Sequence, residues 1–185
     1  MMNDHEDTAT IDLEGISSAV PDVSSEAFEN AAAIGDEKLR AAGFFVNPVR
    51  HASAPFTGKS PLVLVVEDDP GTVMVIEGVL QSRGMTTRSA STLQTVARAM
   101  NAKPRPDLVL LDIVLPDANG FAILERLRRH PELNAVPVIM LTSLSDPADV
   151  AKGLALGATG YMVKPAKPQA LLSAIDGVLG INRNS

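Results

Sequence analysis

Cysteine and tryptophan are absent from this chain of 185 residues, and aromatic residues make up only 3% of it. The lack of cysteine excludes a disulfide framework, a zinc–thiolate site and a cysteine nucleophile, and it fits a reducing compartment. No stretch approaches the roughly 18 consecutive apolar residues of a membrane-spanning helix. The N-terminus is acidic, whereas a secretory signal begins basic and continues apolar. We therefore expect a cytoplasmic protein with an aliphatic core and no membrane contact.

The net charge of −6 lies entirely in the first third of the chain. Residues 1–59 carry ten acidic and four basic residues, whereas residues 60–185 carry twelve of each. Neither part has the concentrated positive charge that is typical of nucleic-acid binding. The composition therefore predicts that the chain does not bind nucleic acid directly.

Two regions of the chain differ in kind. Residues 1–59 show no sustained apolar periodicity and are rich in Ala, Ser, Asp and Glu. Such a segment buries little apolar surface, so we predict an acidic extension that is mostly disordered. A helix is possible near residues 25–42, although the interior Gly35 weakens it. Residues 60–182 are predicted to form the folded domain.

Short apolar runs alternate with amphipathic stretches of helical length after residue 60. The runs predict buried strands at residues 62–66, 108–111 and 136–141, and weaker strands at 86–88 and 160–163. The amphipathic stretches predict helices at residues 70–82, 91–101, 119–129, 147–156 and 167–179. Strict alternation predicts an α/β fold, with a doubly wound, five-stranded parallel sheet and five helices. The expected strand order is the flavodoxin-like 2-1-3-4-5.

Polar residues follow four of the five predicted strands, at the ends where sheets of this class bind ligands. These residues are Glu67, Asp68 and Asp69 after the first strand, Asp112 after the third, Thr142 and Ser143 after the fourth, and Lys164 after the fifth. Because these strands are neighbours in the expected order, the side chains should share one crevice. Converging carboxylates repel one another unless a cation lies between them, and Mg²⁺ prefers oxygen ligands. A carboxylate can also attack phosphorus and form an aspartyl phosphate.

Four motifs at these strand ends resemble the receiver domain of two-component response regulators: LVLVVEDDP, LVLLDIVLPDANG, VIMLTS and GYMVKP. The resemblance covers residues 61–180 and suggests a stand-alone receiver similar to the chemotaxis regulators. It implies that Asp112 accepts a phosphoryl group from a sensor histidine kinase or a histidine phosphotransfer protein. It also implies a Mg²⁺ (or Mn²⁺) site. Its ligands would be Asp68, Asp112 and the backbone carbonyl of Val114, with Glu67 acting through water.

The resemblance also implies how the domain would signal. Thr142 and Lys164 would bind the phosphoryl group, Thr142 and Tyr161 would form a switch pair, and the Lys164–Pro165 bond would be cis. Phosphorylation would then shift a conformational equilibrium. A downstream protein, or a second copy in a homodimer, would bind the face made by the fourth helix, fifth strand and fifth helix. The domain would catalyse only its own phosphorylation and dephosphorylation, so we do not expect an enzyme with a separate substrate.

Val114 and Leu144 lie two residues beyond the predicted phosphoacceptor and the predicted phosphoryl-binding threonine. Receivers with acidic or amide side chains at these positions can orient a hydrolytic water, and both residues are apolar here. We therefore expect slow autodephosphorylation. Intact mass followed over time gives the half-life of the aspartyl phosphate, and a half-life of seconds would contradict this expectation.

Three alternative functions fit the sequence less well than a receiver. A phosphatase of the haloacid dehalogenase type also uses an aspartate nucleophile and Mg²⁺, but its nucleophile follows the first strand, where this chain has Glu67. A flavodoxin needs a phosphate-binding loop at that point, and acidic residues there would repel the flavin phosphate. A receiver-like scaffold that takes no phosphate is disfavoured because all the acceptor residues are present. Since the chain ends at Ser185, we expect no C-terminal DNA-binding or catalytic output domain.

Overall fold

The computed structural model of the protein describes residues 10–16, 19, 21–25, 43–46, 56–143 and 147–181. The strands in these ranges are β1 (Phe44–Val46), β2 (Leu62–Val66), β3 (Thr86–Ala90), β4 (Leu108–Asp112), β5 (Val138–Thr142) and β6 (Gly160–Val163). The helices are α1 (Pro70–Ser82), α2 (Leu93–Asn101), α3 (Gly120–Arg129), α4 (Pro147–Ala155) and α5 (Pro168–Leu179). No helix in these ranges is long and apolar enough to span a bilayer.

Strands β2 to β6 form the parallel sheet that the alternation predicts. Their spatial order is β6-β5-β4-β2-β3. Counted over the five predicted strands, this is the order 2-1-3-4-5, which confirms the predicted fold. Every residue of the three central strands β2, β4 and β5 is buried. Continuous burial is expected where helices cover both faces of a parallel sheet.

Two apolar cores lie on opposite faces of the sheet. Side chains of β2 alternate between them, with Leu64 and Val66 in one and Val63 and Val65 in the other. The first core contains the apolar faces of α2, α3 and α4, and the second contains those of α1 and α5. This doubly wound arrangement leaves the carboxyl ends of the strands uncovered by helices, where a site can form.

Polar side chains cap the N-termini of helices at these strand ends. The Asp69 carboxylate accepts a hydrogen bond from the Thr72 N–H at 2.7 Å and caps α1. The Asn119 side chain accepts one from the Phe121 N–H at 2.9 Å and caps α3. Capping of this kind satisfies backbone donors that a helix leaves free at its start. These caps therefore fix the residue at which each loop ends and its helix begins, beside the strand ends.

Part of the acidic extension packs on the folded domain, which the sequence pattern did not predict. Ile11 and Leu13 are each 2% exposed and belong to the core around α2 and α3. The Ile11 N–H donates to Asn101 Oδ1 at 2.8 Å, and Asn101 Nδ2 donates back to the Ile11 carbonyl at 3.0 Å. In addition, β1 joins the sheet as a sixth, antiparallel strand on the outer edge of β6. The helix predicted near residues 25–42 lies outside the described residues beyond Ser25.

Candidate functional site

Three carboxylates converge at the carboxyl ends of β2 and β4. One oxygen each of Glu67, Asp68 and Asp112 lies within 4.8 Å of the others. Glu67 is 2% exposed and Asp112 is 5% exposed, whereas Asp68 is open to solvent. β2 and β4 are adjacent and parallel, so their ends deliver these residues to the same place. The third acid that follows β2, Asp69, caps α1 instead, and the hydrogen bonds from Thr72 hold its pKa below the ordinary value.

Lys164 reaches this cluster from the end of β6. Its Nζ donates to Asp112 Oδ2 at 2.7 Å and lies 2.8 Å from Glu67 Oε2. β5 lies between β4 and β6, so the lysine crosses the end of that strand. Its backbone N–H donates to the Thr142 carbonyl at 2.7 Å. The Lys164–Pro165 bond is cis, as the resemblance implies, and so is the Lys103–Pro104 bond.

Burial and neighbouring charge both shape the ionisation of this cluster. Burial raises the pKa of Glu67 above its ordinary value, and the nearby Asp112 carboxylate adds to this, against the opposing effect of Lys164. For Lys164, burial opposes the charged form, but hydrogen bonds to Asp112 and Glu67 and the negative charge of both carboxylates together outweigh it and raise the pKa of the ammonium. The lysine is therefore charged at neutral pH. One ammonium faces three carboxyl groups, which leaves the site electronegative.

This donor set fits a hard divalent cation. Mg²⁺ takes oxygen ligands, commonly one or two carboxylates with waters and phosphate oxygens. The cluster offers carboxylate oxygens from Glu67, Asp68 and Asp112 in mutual reach, with a single lysine to balance their charge. Because Asp68 is exposed, the cluster is open to solvent at Asp68. These three residues are therefore the ones in the described part of the chain that could hold a cation here.

The loop after β4 folds back tightly on the end of the strand. The Val114 N–H donates to Asp112 Oδ1 at 3.3 Å, while Val114 as a whole residue is 72% exposed. The Gly120 N–H donates to the Ile113 carbonyl at 2.8 Å. A Cβ at Gly120 would lie only 2.1 Å from the Asp112 carbonyl oxygen. The turn therefore needs glycine at this position. The role of the Val114 carbonyl as a metal ligand remains a prediction.

The two residues of the predicted switch pair are buried on neighbouring strands. Thr142 ends β5, and Tyr161 lies in β6, fully buried in the core with α4. The Tyr161 hydroxyl donates to the Asp149 carbonyl at 3.2 Å, and burial raises the pKa of its phenol. Its oxygen lies 1.5 Å from the point where a Cβ at Gly153 would be, a close fit that no local pattern revealed. Leu144, the second predicted lifetime residue, lies outside the described residues.

Comparisons with known proteins agree with this architecture. The family model described as the response regulator receiver domain matches residues 63–176. The chain is 38% identical over 117 residues to the transcriptional regulatory protein GltR of Pseudomonas aeruginosa. It is 39% identical over 116 residues to the DNA-binding response regulator MtrA of Mycolicibacterium smegmatis. These matches cover 63% and 61% of this chain but 48% of each relative, so the chain spans about half the length of the curated relatives it matches.

Solved structures show the same fold. A putative response regulator from Chloroflexus aurantiacus J-10-fl matches with a TM-score of 0.63 and 30% identity, over 66% of this chain and 99% of that chain. The receiver domain of the sensor histidine kinase PA1611 from Pseudomonas aeruginosa has a magnesium ion coordinated in its active-site cleft. It matches with a TM-score of 0.59 and 30% identity, over 65% of this chain and 98% of that chain.

The relatives contradict one expectation drawn from composition. MtrA is named a DNA-binding response regulator and GltR a transcriptional regulatory protein, so the expectation of no nucleic-acid partner is wrong. That expectation rested on the charge of these 185 residues, which carries no information about the half of each relative outside the match. The family match covers well over half of the chain, and the strand order agrees with it. The chain therefore belongs to the response regulator receiver domain family.

Proposed function

We propose that this receiver accepts a phosphoryl group on Asp112 from a phosphohistidine of a sensor kinase or phosphotransfer protein, in a reaction that needs Mg²⁺ or Mn²⁺. The observation that best supports the proposal is the 2.7 Å contact between Lys164 Nζ and Asp112 Oδ2 within the carboxylate cluster. A lone aspartate at a strand end would be unremarkable as a turn residue. An aspartate that shares a crevice with two further acids and a charged lysine is suited to phosphoryl chemistry.

In the proposed reaction an oxygen of the Asp112 carboxylate attacks phosphorus. The new O–P bond forms as the P–N bond to the donor imidazole breaks, and the electron pair of that bond stays on the imidazole nitrogen. Lys164 Nζ contacts the carboxylate in this structure. After transfer, it is placed to bind a negatively charged phosphoryl oxygen instead. The buried hydroxyl of Thr142, at the end of the adjacent strand, is the second group proposed to bind that oxygen. Positioning and charge stabilisation of this kind are what phosphoryl transfer chiefly requires.

The proposed cation is held by the acidic cluster. When bound, Mg²⁺ supplies positive charge that offsets the carboxylates and the phosphoryl oxygens. Asp68, the exposed acid, and Asp112 are proposed as direct ligands with the Val114 carbonyl. Glu67 is buried and forms an ion pair with Lys164, so we propose that it contacts the cation through a water molecule. The lysine in turn keeps the two buried acids from repelling each other before a donor arrives.

We propose that phosphorylation controls a downstream response, and that the domain does not turn over a separate substrate. Phosphorylation would shift the equilibrium between two conformations of the region that includes Thr142 and Tyr161. Since relatives of this chain are named as DNA-binding and transcriptional regulators, the output we propose is control of transcription through a DNA-binding unit. The kinase or phosphotransfer protein would meet this receiver in the cytoplasm.

Acetyl phosphate and intact mass test the proposed acceptor. With Mg²⁺ present, the wild-type chain should gain the mass of one phosphoryl group, because the Asp112 carboxylate is the nucleophile. Asp112→Asn should gain none, and chelation of the cation should prevent the gain in the wild type. Asp117→Asn is the matched control, since it makes the same change in the same loop on an exposed side chain outside the cluster.

Two results would contradict the proposal. The first is labelling of Asp112→Asn to the wild-type level. The second is sustained hydrolysis of a phosphomonoester that survives Asp112→Asn but is lost in Glu67→Gln, which would identify a phosphatase of the haloacid dehalogenase type. The first result would exclude Asp112 as the acceptor, and the second would place the nucleophile at the end of β2 instead of β4.

A further inference from the structure

A groove between α2 and α3 holds residues 10–16 of the acidic extension, which we call the docked segment. Ile11 and Leu13 are buried in the core on this face of the sheet. Gly15 follows with a φ of 75°, and the Ile16 N–H donates to the Leu13 carbonyl at 3.3 Å. This tight turn favours glycine, because its left-handed backbone strains other residues. It places Ile16 beside the same core. The segment thus docks as an extended piece followed by a turn.

Side chains of the two helices bind the backbone of the docked segment. Asn101, the last residue of α2, accepts a hydrogen bond from the Ile11 N–H at 2.8 Å and donates one to the Ile11 carbonyl at 3.0 Å. Arg126 Nε on α3 donates to the Asp12 carbonyl at 2.9 Å. An amide that bonds to both backbone groups of one residue makes the contacts that a neighbouring strand makes when it binds an extended peptide. Every peptide has these backbone groups, so specificity comes from the two apolar side chains that are buried.

The groove is basic on its α3 side, and the docked segment fills it only in part. Arg126 and Arg129 line that side with one acid, Glu125. The segment carries Asp12 and Glu14, which complement this charge. An open space of about 390 Å³ remains between the segment and the first turns of α2. A ligand with larger side chains can make contacts there that the segment lacks, so it can compete with the segment.

We propose that the groove between α2 and α3 binds a peptide of a partner protein. This peptide is an extended, acidic segment with apolar residues at alternate positions, and it displaces the docked segment, which has the same chemistry. Residues 10–16 form no strand or helix, and the family model begins only at residue 63. Their release therefore leaves the strands and helices of the receiver in place. Binding at this groove does not depend on phosphorylation of Asp112.

Fluorescence anisotropy of a labelled peptide with the sequence of residues 10–16, TIDLEGI, tests the groove in the full chain. Leu13→Asp in the protein places a charge in the apolar contact and should release the docked segment. The dissociation constant of the peptide should then be at least about tenfold lower than for the wild type, whose own segment competes with it. Ser25→Asp, an exposed change of equal charge in the same extension, should bind the peptide like the wild type.

Asn101 distinguishes binding in the groove from non-specific association. Adding Asn101→Ala to Leu13→Asp should raise the dissociation constant at least about tenfold, because both hydrogen bonds to the peptide backbone are lost. Asn134→Ala in the same background is the matched control, since it makes the same change at an exposed residue after α3, and it should leave the affinity unchanged. A folded Leu13→Asp chain that binds the peptide no better than the wild type overturns the proposal. Binding that Asn101→Ala leaves unchanged overturns it as well.

Hydrogen exchange of the wild-type chain gives an independent measurement, and it decides alone if Leu13→Asp fails to fold. Saturating unlabelled peptide should speed exchange of the Ile11 amide, which donates to Asn101 while the segment is docked. The amides of α2 and α3 should stay protected. Unchanged exchange in residues 10–16 overturns the proposal. A wild-type dimer in light scattering that Leu13→Asp abolishes also overturns it, because the segment of a second copy would then be the occupant of the groove.

Discussion

Alanine in place of Gly120 should destabilise the receiver by about 3 kcal/mol, an overpacking cost at the upper end for a single added methyl group. A Cβ at this position would lie 2.1 Å from the Asp112 carbonyl oxygen and 3.0 Å from the Asp112 carbonyl carbon and from Ile113 Cα. All three atoms belong to the backbone, so no side-chain rotation can relieve the contact. Either the start of α3 or the end of β4 must move. Movement of β4 would displace Asp112 from Lys164, so phosphoryl uptake should fall as well.

Urea unfolding followed by circular dichroism measures this effect, with Gly78→Ala as the matched control. Gly78 is exposed in α1, and a Cβ there would meet nothing within 4 Å. Because alanine favours a helix interior over glycine by about 1 kcal/mol, the control should raise the free energy of unfolding. The same substitution should thus have opposite signs at the two positions. Equal, small effects at both would mean that the turn after β4 adapts at little cost.

The fold was predictable where the pattern in the sequence was continuous. β2, β4 and β5 are uninterrupted apolar runs, and such runs identify strands buried on both faces. Their alternation with helices then determined the topology, and topology alone brought Asp112, Asp68 and Lys164 to one crevice. Strand ends were less certain. The run at residues 136–141 predicted a strand that begins two residues early, because Val136 and Pro137 precede the ladder of β5.

Contacts between distant segments could not be read from the sequence. β1 has only three residues, too few for a periodic signal, and its partner β6 is more than 110 residues away. Ile11 and Leu13 are two apolar residues in an acidic segment, and their burial depends on a groove that exists only after α2 and α3 fold. In the same way, the sequence grouped Glu67 with Lys164 but could not show that they form an ion pair.

Gly153→Ala should expel Tyr161 from its buried position and destabilise the domain by about 2–3 kcal/mol. A Cβ at Gly153 would lie 1.5 Å from the Tyr161 hydroxyl oxygen, 2.8 Å from its Cζ and 3.1 Å from the ring of Phe121. The tyrosine ring is rigid and fully buried, so it cannot yield without leaving the core. Tyr161 is the only tyrosine and the chain has no tryptophan. Tyrosine fluorescence and its quenching by acrylamide therefore report on this one side chain, and quenching should increase in the variant.

Tyr161→Phe turns this prediction into a double-mutant cycle. It removes the hydroxyl, which is the closest obstacle, and costs the hydrogen bond to the Asp149 carbonyl, worth about 1 kcal/mol. If the clash with that hydroxyl is the cause, Gly153→Ala should cost less in the Tyr161→Phe background than in the wild type, since residues in contact are not additive. Additive losses would mean that the hydroxyl is not the obstacle, and unchanged quenching in Gly153→Ala would mean that α4 moves instead of the ring. The cycle thus tests the contact itself, while the quenching separates a movement of the tyrosine from a movement of the helix, the two ways in which the contact between β6 and α4 can change.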